Sequence, residues 1–178
     1  MMKPPEIIET ERLRLRPPAR EDAAAIFEQY AQDAEVTKYL VWRPHRSIEE
    51  TQDFLRRCLS VREQASAFPW VICRKSDGRL IGMVEIRLGS YKSDLGYVLA
   101  REFWGNGYAP EAVKAITEWA LAQANIWRVW AVCDVDNLAS ARVLEKVGMR
   151  REGVLRRWII HPNISDEPRD AFCYAIAR

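Results

Sequence analysis

The chain has 178 residues, with 27 Lys and Arg against 25 Asp and Glu for a formal net charge of +2. That length holds one domain of the usual ~150 residues and leaves little for a second, so residues 1–178 are expected to form a single domain. Apolar residues make up 48% and charged residues 29%, which excludes disordered and collagen-like classes, and the near balance of charge gives no argument for a nucleic-acid or membrane partner.

Cys58, Cys73, Cys133 and Cys173 are scattered without a C-x-x-C pair, and there are two histidines, so neither a metal site nor a disulfide framework is expected. Free thiols fit a reducing, cytoplasmic location. The first 18 residues carry Glu6, Glu9, Glu11, Arg12, Arg14 and Arg16, which leaves no apolar core for a signal peptide. No run approaches the ~18 consecutive apolar residues of a spanning helix.

In chain order, residues 10–16 alternate Leu13 and Leu15 with arginines, the pattern of a half-buried strand, and Pro17 and Pro18 stop it. Ala23, Ile26, Phe27 and Tyr30 have helical spacing within residues 20–31. Ser47 with Glu50 reads as a capping box that opens a second helix running to about Gln64, after a loop over residues 39–46. Residues 68–74 and 79–88 read as a hairpin around Ser76-Asp77-Gly78, and residues 92–99 add a third antiparallel strand. From Gly107 to Ala124 the period becomes 3.6, with Ala112, Val113, Ile116, Trp119 and Ala120 on one side. A strand over residues 127–133 follows, then a short helix capped by Asn137 and stopped by Gly148. Two closing strands, over 149–160 and 169–177, end the chain. The order β-α-α-β-β-β-α-β-α-β-β predicts one mixed sheet covered by helices.

Chemistry is expected at Trp104-Gly-Asn-Gly-Tyr-Ala109, two glycines at the mouth of the strongest helix. Glycine lets main-chain N–H groups turn to a ligand, and the first helical turn has unpaired donors and a partial positive charge, a combination that binds phosphate. A Walker loop needs Lys-Ser or Lys-Thr where this chain has Tyr108-Ala109-Pro110, and a dinucleotide fingerprint needs a third glycine where it has Pro110. The remaining template is a coenzyme A pyrophosphate loop.

Taken together, Thr10-Glu-Arg-Leu-Arg-Leu-Arg16, Leu95-Gly-Tyr-Val-Leu99, Trp104-Gly-Asn-Gly-Tyr-Ala-Pro-Glu-Ala112, Asp136-Asn-Leu-Ala-Ser140 and Val143-Leu-Glu-Lys-Val-Gly-Met149 resemble the GNAT acetyltransferases. Within that superfamily the chain resembles the RimJ/RimL-type N-acetyltransferases, which modify protein amino termini and, in relatives, small amines. The resemblance implies a mixed α/β fold with a mostly antiparallel central sheet, in which two parallel strands splay apart and hold acetyl-CoA. It places the pantetheine arm on main-chain groups of Val98 and Leu99, and the pyrophosphate on Gly105, Asn106, Gly107, Tyr108 and Ala109. It also sets Asn137 against the coenzyme arm and Ser140 near the sulfur. Two positions depart from the family pattern. Glu102 stands where Gln or Arg is common, and Leu144 replaces the tyrosine that often protonates the leaving thiolate.

Acetyl transfer needs a neutral amine, a donor for the tetrahedral oxyanion and a proton for the thiolate. A backbone N–H near Val98 is expected to face the oxyanion, a contact worth roughly 3–4 kcal/mol in other enzymes. With Leu144 unable to donate, Ser140 is the expected proton source. Glu85 and Asp94 are the candidate general bases, although strand carboxylates are usually solvated or paired with a facing arginine. Glu111 in the first helical turn is explained by the helix dipole. Trp42, Arg43 and His45 are placed in the acceptor cleft, with His45 read as a surface residue. Arg150, Arg151, Arg156 and Arg157 are read as a solvated strand face, so no direct nucleic-acid contact is expected. The reading is an acetyl-CoA-dependent enzyme acting on an amine acceptor, without metal, membrane-free and with a homodimer possible in principle. Alternatives are a non-catalytic acyl-CoA-binding module, motivated by Leu144, and a small nucleotide-binding oxidoreductase, weakened by Pro110.

Overall fold

Leu13 and Leu15 are fully buried while Arg14 is exposed, so the alternation of the first arginine-rich segment does make a strand. It is shorter than the pattern suggests. The strand covers Leu13–Arg16 (β2), preceded by a two-residue pairing at Ile8–Glu9 (β1), and Thr10 and Arg12 leave the ladder because they are bonded elsewhere. The computed structural model describes residues 4–178; residues 1–3 lie outside the described residues.

The helix expected over residues 20–31 is divided. Asp22 accepts from the Ala19 amide and both Arg16 guanidinium nitrogens, so the first turn tightens into a 3₁₀ segment at Arg20–Asp22. A single α-turn follows at Ala23–Ile26 (α1), then a wide π-turn at Phe27–Ala31 that puts Tyr30 and Ala31 in the core. A further turn at Ala34–Thr37 (α2) is capped by Asp33. Helix Ile48–Glu63 (α3) starts where expected, but its capping box does not form. The Ser47 hydroxyl caps no amide, and Glu50 reaches back one residue farther, accepting from Arg46 N at 2.9 Å.

Strands Phe68–Arg74 (β3), Leu80–Leu88 (β4) and Lys92–Leu99 (β5) form the expected antiparallel meander. Helix Tyr108–Leu121 (α4) follows, then strand Arg128–Asp134 (β6), helix Leu138–Lys146 (α5) and strands Arg150–Ile159 (β7) and Arg169–Ala177 (β8). One sheet runs β1-β2-β3-β4-β5-β6-β8-β7, every pair antiparallel except β5 with β6. Its faces are closed by α1 and α3 and by α4 and α5, around a core that includes Trp70, Phe103, Ile116 and Leu144. No helix among the described residues is long and apolar enough to cross a membrane.

The parallel pair is what opens a site. β5 and β6 pair only at Lys92 with Arg128, Ser93 with Val129 and Asp94 with Trp130. Beyond Asp94, β5 continues against β4 and β6 against β8, so the two strands lose each other where the ladder would otherwise run on.

Candidate active site

An unpaired strand edge inside a sheet is costly unless something bonds it, because backbone N–H and C=O groups need partners. Which groups of β5 face the gap follows from the alternation of an antiparallel ladder. At one end Gly89 N donates to Lys92 O (3.0 Å), and at the other Ala100 N donates to Ile81 O (2.8 Å). Even-numbered residues of β5 therefore bond to β4, and Leu95, Tyr97 and Leu99 turn their amides and carbonyls to the gap. The Val98 carbonyl confirms this parity, since it lies 2.3 Å from where a Cβ on Gly82 would stand, on the β4 side. In the region expected around Val98 and Leu99, the amides that face the gap are thus those of Tyr97 and Leu99. Leu99 O accepts from the Trp104 indole at 2.7 Å, which ties the end of the gap to the glycine loop.

That loop behaves as its composition requires. Gly105 and Gly107 take φ of +78° and +80°, a region L side chains avoid, and Gly107 is the N-cap of α4. Among the described residues no protein acceptor is found for the amides of Gly105, Asn106, Gly107, Tyr108 or Ala109. Five amides so placed at a helix start can receive an anion.

The loop is held by Thr10, Arg12 and Glu111, whose joining the sequence did not show. Arg12 donates from Nε to Glu111 Oε2 (2.7 Å) and from Nη1 to Asn106 O (3.0 Å), and its guanidinium covers the Tyr108 ring at 4.6 Å. Glu111 also accepts from the Thr10 hydroxyl (2.6 Å) and the Arg12 amide (2.8 Å). Burial works to raise the Glu111 pKa, but these bonds together hold it below the ordinary value. A depressed carboxylate pKa stabilises the fold above the unfolded value of ~4.3 and loses that effect as pH falls through the folded value. Glu111→Gln should thus lower thermal stability near neutral pH by about 1.5–3 kcal/mol, the worth of hydrogen bonds to a charged group. Its melting curve should converge on the wild type in acid; a constant difference down to the acid transition would contradict the charged latch.

Glu102, the departure beside the loop, is paired with Arg79 at 2.8 Å.

At the mouth of the gap stand two hydroxyls. Asn137 caps α5 as expected, its Oδ1 accepting from Ser140 N at 3.1 Å, and this fixes the first turn that carries Ser140. Ser140 Oγ is 2.7 Å from the hydroxyl of Tyr97, which reaches across from β5 and also lies 3.2 Å from Ser140 O. Cys133, the penultimate residue of β6, is buried, and this pushes its thiol up to about 11. Leu144 is fully buried in the core and takes no part.

The other face of the meander carries the candidate bases. Glu85 and Asp94 are both bound by Arg87, at 2.5 Å from Nη1 and 2.6 Å from Nε respectively. The structure thus brings both to one arginine. Glu85 is near enough to α3 that its charge adds to burial in raising the Cys58 thiol, pushed up to about 12.

His45 is not a surface residue. It is 8% exposed, packed between Trp42 and Phe54, with Nδ1 2.8 Å from Thr51 Oγ1, and burial lowers its pKa. A groove of about 600 Å³ runs past Trp42, Arg43, His45 and Arg57. The turn after β7 closes on this loop, since Asn163 Nδ2 donates to Thr37 O (2.7 Å) and Trp42 O (2.8 Å). His161, 3% exposed, stands 3.6 Å from Asp134 with its ring edge-on to Tyr39, and burial lowers its pKa against the pull of that carboxylate. Among the described residues no cluster of His, Cys, Asp and Glu is arranged to hold a metal ion.

A splayed parallel pair, a bare strand edge and a run of free amides at a helix start make the bed of an acyl-CoA-dependent N-acyltransferase. Comparison with known proteins agrees. Residues 12–150 match the family model of the acetyltransferase (GNAT) domain. An uncharacterised N-acetyltransferase of Bacillus subtilis (strain 168), YoaA, is 31% identical over 175 residues, covering 97% of each chain. A crystal structure of a GNAT-family acetyltransferase from Bacillus anthracis is 28% identical with a TM-score of 0.83, covering 96% of this chain and 98% of that one. RimL, a ribosomal L7/L12 α-N-protein acetyltransferase solved in complex with coenzyme A, shares the fold at 21% identity and a TM-score of 0.85, covering 97% and 98%. The chain belongs to the GNAT acetyltransferases, and acetyl-CoA is its co-substrate.

Proposed function

We propose that this enzyme acetylates a primary amine by direct attack within a ternary complex, and that the acceptor is a protein α-amino group or a small-molecule amine. The observation that carries this reading is the bare edge of β5, Leu95 to Leu99 in odd positions, which runs from the free amides at Gly105 to Ala109 toward Ser140. Acetyl-CoA fits that path, because its diphosphate suits the amides and its amide-bearing arm suits an unpaired strand; when bound it supplies the acetyl group as a thioester.

The chain's own residues then have definite tasks. Loop amides of Gly105, Asn106, Gly107, Tyr108 and Ala109 bind, Leu99 and Tyr97 offer gap-facing main-chain donors, and Asn137 holds the turn that presents Ser140. The amine nitrogen forms its bond to the acetyl carbon, the carbon–sulfur bond breaks and its electron pair goes to sulfur. Ser140 gives its proton to sulfur and is reprotonated from water, to which the amine has lost one proton, so charge balances. Burial raises the pKa of all four cysteines, which disfavours a thiolate acyl-enzyme and supports direct attack. With both Glu85 and Asp94 on Arg87, proton removal by water serves an α-amino group of pKa ~8 better than a lysine of ~10.4.

Release of free thiol from acetyl-CoA, measured across a panel of amino-terminal peptides, polyamines and amino acids, tests the reading. Turnover with at least one α-amino or small amine is expected, together with a rise in melting temperature on adding acetyl-CoA. Stabilisation without turnover on the whole panel would leave a binding module instead.

A further inference from the structure

Leu144 leaves the family's usual acid position without a proton donor, yet the structure puts a tyrosine hydroxyl in the same neighbourhood from another element. Tyr97 comes from β5, just beyond the last residue paired with β6, and its ring crosses to the first turn of α5. The backbone of Tyr97 faces the gap while its side chain lies on the α5 side of the sheet, so one residue touches both the strand edge and Ser140.

We infer that Tyr97 is the positioning residue for the proton of Ser140: its hydroxyl donates to Ser140 Oγ, so that the single Ser140 hydrogen is turned toward the gap. This inference rests on the role proposed for Ser140. A serine hydroxyl has one hydrogen and two lone pairs. Left alone in a first helical turn, that hydrogen would settle on a nearby main-chain carbonyl or on water. The 2.7 Å contact is the shorter of the two that Tyr97 makes, against 3.2 Å to Ser140 O, and a donor occupying Oγ leaves the Ser140 hydrogen no partner on that side. Burial of the phenol raises its pKa well above the ordinary tyrosine value, so Tyr97 keeps its own proton and acts by direction alone.

The arrangement also explains how a chain with leucine at position 144 can keep a thiolate donor. The tyrosine is supplied from β5, 43 positions before Ser140, and works through that serine.

The test is a double-mutant cycle of Tyr97→Phe and Ser140→Ala, read by kcat, by KM for acetyl-CoA and by equilibrium binding of coenzyme A, with melting temperature as the folding control. Tyr97→Phe keeps the ring, and should lower kcat about tenfold, the effect of one hydrogen bond, while coenzyme affinity and KM stay within about twofold. In the Ser140→Ala background the same change should have no further effect on kcat. A fluorinated tyrosine at position 97, which retains a hydroxyl, should restore the rate whether or not the phenylalanine variant folds well. Wild-type kcat in Tyr97→Phe, or a full tenfold loss on top of Ser140→Ala, overturns the inference while leaving Ser140 as donor. Wild-type kcat in Ser140→Ala overturns the donor role itself and this inference with it.

Discussion

Gly107→Val is expected to remove measurable coenzyme binding. Gly107 sits at φ +80°, where an L residue costs roughly 1–2 kcal/mol and a β-branched one more. A Cβ there would also stand 3.4 Å from Arg12 Nη2, and the two further methyls of valine would press on the guanidinium that holds Asn106 and Glu111. The loop must therefore change course, and the five free amides cease to converge. A loss of at least ~100-fold in affinity for coenzyme A is expected, about 2.7 kcal/mol, with the melting temperature of the free protein reduced much less. Gly105→Ala is the graded companion, because a Cβ at Gly105 meets nothing within 4 Å and carries only the strain of its φ of +78°. Titration calorimetry on both variants decides the matter, and wild-type affinity in Gly107→Val would remove the loop from the binding site.

Ser140→Ala should slow turnover by about 100-fold, the lower end of what a positioned acid contributes, with coenzyme affinity nearly unchanged. The reason lies in the local architecture. The α5 turn is capped through the backbone N–H of Ser140 and the side chain of Asn137, so removing the Ser140 hydroxyl leaves the cap intact. The change therefore removes the hydroxyl bonded to Tyr97 and leaves the helix start in place. If KM for acetyl-CoA rises while kcat holds, Ser140 binds the coenzyme and another group protonates the sulfur.

Much of this protein was written in short-range pattern. Alternation in β3 to β5, the 3.6 period of α4, the glycines of the loop and the Asn137 cap are interactions between residues within a few positions of each other, and local spacing reports them. The resemblance to GNAT acetyltransferases rested on the same segments. Where local signals competed, the sequence misled. Ser47 and Glu50 have capping-box spacing, but Arg46, adjacent in the chain and oppositely charged, holds the carboxylate instead. For Glu85 and Asp94 the sequence left base and arginine partner as alternatives, and the hairpin register set Arg87 between them, directly opposite Asp94.

Only the tertiary structure decided which main-chain groups face the gap, because the parity of β5 is fixed by bonds at its two ends to β4 and not by any side chain. It alone joined Thr10 and Arg12 to Glu111, about 100 positions away, and Tyr97 to Ser140. Sequence by itself determined most of the elements, the glycine turn before α4 and the family, since these follow from each residue's own conformational preferences and nearest neighbours. The meeting of Tyr97 with Ser140 required the sheet, because hydroxyls from separate segments come within 2.7 Å only when β5 and β6 have been placed side by side and then part to pair with β4 and β8.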